Sequence, residues 1–385
     1  MNTIKDFNTF VLEANSIFAM KPETKKRLLE LDEKYHKLIE KFRTKYVAQT
    51  CSNIRDEFDK FMAARNNGQK YFPQLEIENS KADPKMIEDF EKLKEEFGEI
   101  KDECYVVKFY FEKIDSMINS LQTRIDIENG SYTPGENPVD KELYDEALQC
   151  VKDNPYKKPD FKKDRNKDSE ECYDEIEDAI DELGYDFDVN IDTGMLPRMN
   201  VKMGKVNINK TSRFSNADIE GLIAHEIKGH VGRRFYGKET GLWLFAYGLQ
   251  SSSTYDEGLA VWNSLNLVKE KKSNVLFNIA MKTCISYLMY EMDFCDLFEW
   301  LKKKAPEMTD YTAFKTIVRP RRRNKDCEIK SGEPMTTYFR GYNMVKEMDD
   351  KMRDDILHYN IGPDQKFELD NIKEFLKVNN FKKLK

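Results

Sequence analysis

His225-Glu226-Ile227-Lys228-Gly229-His230 brings two imidazoles and a carboxylate together within six residues, and these are two of only four His in the chain. Neutral imidazoles bind zinc, and a carboxylate beside them can take the proton of a metal-activated water. The spacing sets a geometric condition. In a regular helix, His at i and i+4 differ by about 40° around the axis, whereas i and i+5 splay by about 140°. A π-bulge adds one residue to a turn and returns the pair to one side. Gly229 lowers the steric barrier to that distortion. Ligation by both His therefore predicts a locally widened helix. The alternative is two ordinary His on an amphipathic helix.

A third ligand is available downstream. Residues 253–262 read STYDEGLAVW and start a helix with Glu257 in its first turn. A carboxylate there completes a His₂Glu set with an open fourth position, as in catalytic zinc peptidases. Thr254-x-x-Glu257 also reads as a capping box, so the residue has two readings. Under the first, Glu226 is the general base and a nearby donor must meet the developing oxyanion.

The elements that must hold these residues follow from periodicity. Ser215 is placed to N-cap the first site helix, with Asp218 in its first turn; Ile219, Leu222, Ile223 and Ile227 form the apolar face, and Gly237 ends it. Before it, Phe187/Val189/Ile191, Met199/Val201/Met203 and Val206/Ile208 alternate as short strands, the last two joined at Gly204-Lys205. A strand edge there could pair with an extended peptide. Upstream, 22–66 reads as a charged helix or helix pair. One long helix is expected over 84–128 with Pro84 in its first turn, and shorter ones over 139–152 and 171–183. The expected fold class is α+β, predominantly helical, with a small antiparallel sheet beside the zinc-binding helix. The expected division is a helical region 1–152, a Pro- and charge-rich connector 153–170, and a catalytic region 171–385.

Composition narrows the function. Lys and Arg number 63 against 70 Asp and Glu, a net charge of -7 with a pI near 5.5. That acidic excess opposes nucleic-acid binding. No apolar run approaches the ~18–20 residues that span a bilayer. The 24 Phe and 19 Tyr exclude a disordered chain. Seven scattered Cys without a CxxC pair read as reduced thiols. The N-terminal stretch lacks the apolar core of a secretory signal, so a cytoplasmic protein is expected.

HEIKGHVGRRFYG followed by DEGLAVW resembles the microtubule-associated tyrosine carboxypeptidase family and its bacterial relatives with the QEGLA motif. His225, Glu226, Ile227, His230, Arg233, Gly237 and Glu257-Gly258-Leu259-Ala260 match; Tyr236 stands where the family often has Asn, and Lys228 where it usually has a small or polar residue. TTYFRG (336–341) is similar to a Tyr-Leu-Arg-Gly stretch, and 361–381 to the family's C-terminal tail. The resemblance covers about 185–385. It implies a zincin-like metallopeptidase core, with His225, His230 and Glu257 holding Zn²⁺ and Glu226 as base. Eukaryotic members remove the C-terminal tyrosine of tubulin. A peptide or protein tail, acidic or ending in an aromatic residue, is the expected partner, with neither nucleic acid nor membrane. A carboxypeptidase must also grip a free carboxylate, for which Arg is suited. Arg340 is the first candidate, then Arg233, Arg319 and the run Arg321-Arg322-Arg323. Tyr338, within the matched segment, is expected at the oxyanion or substrate, with Tyr342 as a further contact. The rival readings are a dipeptidyl-peptidase, which shares His-Glu-x-x-Gly-His, and a non-catalytic helical binding protein.

Overall fold

The computed structural model describes residues 18–46, 50–78, 81–131, 135–158, 166–193, 198–202, 204–250, 252–268, 272–321 and 326–381. The order is α1 (Pro22–Lys45), β1 (Thr50–Cys51), α2 (Ile54–Asn66), β2 (Ile77–Glu78), α3 (Pro84–Gly98), α4 (Val107–Glu128), α5 (Lys141–Asp153), α6 (Ser169–Glu182), β3 (Asp188–Asp192), β4 (Met199–Lys202) and β5 (Lys205–Asn209). Then come α7 (Asn216–Leu222), a π-helical segment (Ile223–Val231), α8 (Gly232–Glu239), α9 (Trp243–Tyr247), α10 (Ser252–Leu267) and α11 (Lys272–Glu291). The chain closes with α12 (Phe294–Lys304), α13 (Asp310–Arg321), α14 (Thr337–Lys346), α15 (Asp350–Tyr359), a 3₁₀ turn (Pro363–Glu368) and α16 (Leu369–Asn379).

The predominantly helical expectation holds, and two details are corrected. The long helix over 84–128 is a helical hairpin. It breaks after Gly98, and α3 and α4 fold back on each other through the stacked rings of Phe97 and Tyr110, 4.2 Å apart. Ile100 and Cys104 in the intervening turn are buried in the same core, which is why the apolar spacing runs on through the break. The three-stranded sheet is mixed, not antiparallel. β4 and β5 form the expected hairpin across Gly204, but β3 lies parallel to β5 on its other side. β4, the next strand in sequence, therefore lies on the far side of β5 from β3.

Three apolar clusters carry the packing. In one, Tyr35, Phe97 and Tyr110 from α1, α3 and α4 join Leu244, Tyr255 and Leu259 from α9 and α10, together with Ile372 and Phe375 of α16. A second gathers α2, α5 and the helices from α10 to α14. The third seats the sheet and α6 beneath Ile219, Ile227 and Val231 of the site helix. Buried Asp32 of α1 accepts from the Tyr110 hydroxyl (2.7 Å) and from the backbone N–H of Trp243 (2.8 Å) and Leu244 (3.2 Å). A carboxylate at the start of a helix satisfies its free N–H groups, so α1 fixes the approach to α9. All seven Cys are free thiols. Among the described residues, no helix is long and apolar enough to cross a membrane.

Candidate active site

Ser215 caps the helix as expected, and Asp218 does more than sit in the first turn: the cap is reciprocal, each side chain accepting from the other's backbone N–H at 3.1 Å. Seven residues of α-helix follow, and then the coil widens as the i, i+5 spacing requires: Ile223–Val231 is π-helical over nine residues. Gly229 serves packing as well as backbone freedom, because a Cβ there would meet the Ala260 Cβ at 3.0 Å. Gly237 does not end the helix, which continues to Glu239. It is buried against the Phe245 carbonyl, where a side chain would collide.

The widening turns both imidazoles toward α10. Their ring centroids lie 5.1 Å apart at 83°, with Nε2 of His225 3.6 Å and Nε2 of His230 3.8 Å from Oε2 of Glu257. Tetrahedral ligands at ~2.0–2.2 Å from a zinc ion stand about 3.4 Å apart, so the three atoms are spaced to share one. Glu257 Oε2 is buried and has no hydrogen-bond partner. An orphaned carboxylate oxygen facing two imidazole nitrogens fits a divalent cation. The capping reading of Glu257 falls away, because α10 begins at Ser252 and Thr254 lies inside it. Among the described residues, this is the one group of three His, Cys, Asp or Glu arranged to hold a metal.

Asp256, which sequence reasoning passed over, supports the cluster from behind. Its Oδ1 lies 2.9 Å from His230 Nδ1 and 3.3 Å from the Arg233 guanidinium. A carboxylate on the non-ligating nitrogen fixes tautomer and ring orientation. Burial alone would lower the His230 pKa; the carboxylate of Asp256, joined by those of Glu257 and Glu226, outweighs it and holds the ring up at about 10. Burial pushes Glu226 above the usual carboxylate range, against the opposing pull of His230 and His225. That suits a group that must gain and return a proton near neutrality. Burial also raises Glu257, but the two His carry it below its ordinary value. Lys228 is exposed and points away from the cluster, lining an apolar recess with Leu183, Tyr185 and Leu357.

A glycine pair explains how Tyr338 arrives. Gly258 of α10 and Gly341 of α14 sit face to face, and a Cβ on either would enter the other helix's backbone. This contact draws α14 onto α10 and sets the Tyr338 hydroxyl against Glu257, where burial and that carboxylate raise its pKa well above the ordinary value. Tyr342, one turn on, packs at the tilted ring of Trp262, 6.4 Å away.

The candidate arginines do not converge. Arg340 is at the surface, paired with Asp140 at 3.1 Å. Arg233 is 1% exposed, ion-paired with Asp256 and donating to the carbonyls of Ser252 and Ile361. Arg321 is fully buried on the carbonyls of Cys327, Met289 and Met292. Arg322 and Arg323 lie outside the described residues. Arg319 alone is exposed near the site, electrostatically coupled to Tyr338 and to Lys282.

Over residues 59–337 the chain matches the family described as microtubule-associated tyrosine carboxypeptidase. The chain belongs to that family, which places it with peptidase-like enzymes. The match starts inside α2, well before the 185 expected from the motifs, and ends at 337, so the whole of Tyr338-Phe339-Arg340-Gly341 and the C-terminal segment lie beyond it. No curated protein matches. A lipoprotein of unknown function from Shewanella oneidensis is similar in structure at 14% identity, over 75% of this chain and 71% of that one, with a TM-score of 0.40.

Proposed function

We propose that the protein is a zinc-dependent carboxypeptidase that removes a C-terminal residue, Tyr or another aromatic, from a peptide or protein tail. The observation that carries this reading is the convergence of His225, His230 and the unpartnered Glu257 oxygen on one point, with Glu226 beside them. Zinc held by these three residues would polarise the scissile carbonyl and bring the pKa of a water to about 7. Glu226 takes the proton of the attacking water and delivers it to the leaving amine. Tyr338, with its proton held firmly, donates a hydrogen bond to the carbonyl oxygen as negative charge builds there. The family description supports tyrosine as the residue released.

Mass spectrometry of a peptide library varied at its C-terminus tests the reading. The zinc-loaded protein should shorten peptides by one C-terminal residue, and a chelator should stop it. Glu226→Gln should keep the metal and lose about 10²–10⁴-fold in rate. Release of N-terminal dipeptides would point to the dipeptidyl-peptidase reading instead. An unimpaired Glu226→Gln would remove Glu226 as the base.

A further inference from the structure

Resting on the carboxypeptidase reading, we propose that Lys282, assisted by Arg319, is the receptor for the α-carboxylate of the substrate's last residue. Lys282 is the single charged residue between Asn274 and Tyr290, in the middle of a helix whose apolar residues pack in the second cluster. Its Nζ stands 3.9 Å above the centre of the Tyr338 ring. Among the described residues, no carboxylate lies within ion-pair distance of it. The groups that act on it are Arg319, which repels it, and Glu257, whose carboxylate faces the two His. Burial and Arg319 together lower its pKa to about 8.

A cation kept in a desolvated place beside a second cation, without an acid of its own, is destabilising unless an anion arrives. The Tyr338 phenol links the two centres. Its hydroxyl end faces Glu257 and its ring face carries the ammonium. A peptide whose scissile carbonyl sits at the His-Glu cluster, beside that hydroxyl, lays its last residue along the ring and brings its carboxylate to Lys282 and Arg319. Arg340, Arg233 and Arg321 are all engaged elsewhere.

The test uses the zinc-loaded full chain carrying Glu226→Gln, which holds peptide without cutting it. Binding of an N-acylated hexapeptide ending in Tyr is measured by calorimetry against the same peptide as its C-terminal amide. The free acid should bind about ten- to a hundredfold tighter, the range for hydrogen bonds between charged groups. Adding Lys282→Met should bring the acid down to the level of the amide, Arg319→Met should narrow the gap, and Lys282→Arg should restore part of it. Removing a buried cation, Lys282→Met should melt no lower than its parent. Equal binding of acid and amide with Lys282 intact, or full discrimination without it, overturns the proposal. Tight, Lys282-dependent binding of a peptide that the zinc-loaded wild type leaves uncut would sink the carboxypeptidase reading and leave the carboxylate receptor standing.

Discussion

Asp256→Asn isolates the support behind His230. The substitution keeps shape and removes charge from an oxygen that is sealed from solvent and lies 2.9 Å from His230 Nδ1 and 3.3 Å from Arg233. Loss of a carboxylate behind a metal-binding His typically costs 10–100-fold in metal affinity, or about 1.4–2.7 kcal/mol. Folding loses separately, because Arg233 is 1% exposed and keeps only the Ser252 and Ile361 carbonyls at 3.3 and 3.1 Å. Breaking a buried ion pair costs about 3–5 kcal/mol, and those two carbonyls place the loss near the lower figure. Zinc competition against a chromophoric chelator at neutral pH reads the first effect, and urea unfolding of the metal-free protein reads the second. Arg233→Met closes a double-mutant cycle, in which a coupling of about 0.5–3 kcal/mol is expected between the two sites. Unchanged zinc affinity in Asp256→Asn would refute the claim that this carboxylate orients the ring.

Gly341→Ala should separate α14 from α10, costing about 1–3 kcal/mol as an overpacked contact. It should lower turnover more than a surface Ala substitution of equal stability cost, because Tyr338 moves with the helix. Arg340→Ala should leave peptide cleavage unchanged and stability within about 1 kcal/mol, since its partner is a surface Asp. The affinity for free-acid peptides should fall as pH rises through about 8, where Lys282 loses its proton among Arg319, Tyr338 and Glu257; a flat profile for the acid against its amide would contradict this. Lys113, half-buried beside Arg43 and Arg233 with Leu249's carbonyl at 3.3 Å, has its pKa lowered by desolvation from 10.5 to about 8. The unfolded chain binds the extra proton between those values, so stability should rise with pH across that window. Lys113→Met should raise the Tm at neutral pH and flatten that rise.

The convergence of His225, His230 and Glu257 was legible because its spacing is local. The i, i+5 spacing of His225 and His230 demanded a widened turn, and Ile223–Val231 is one. Glu257 was legible from its place in DEGLA. Asp256 was hidden by adjacency: it precedes a better candidate, yet neighbouring helical residues point about 100° apart, so one faces the two imidazole Nε2 atoms and the other the back of His230. Lys282 left a signal that motif reading ignores, a lone cation in an apolar helix. The arginine preferences failed on burial, which spacing does not report: Arg233 and Arg321 are tied to backbone carbonyls deep in the molecule. Strand positions followed from alternation, but the parallel partner of β3 did not, because direction is set by the path of the connection. Likewise, the break after Gly98 left no trace in a stripe whose turn residues share one core.

The widened coil has a consequence for how this chain tolerates length changes. Deleting Lys228 alone leaves His-Glu-Ile-Gly-His, whose two imidazoles already align on an ordinary α-helix. Because the wide turn holds one residue more than an α turn, losing that residue would let it relax to an ordinary helix, with Arg233 and the Gly237 contact with Phe245 left close to their present rotational setting. The extra residue is thus absorbed where it occurs: the swollen turn takes up an insertion and hands the rod on to its downstream partners at an unchanged angle.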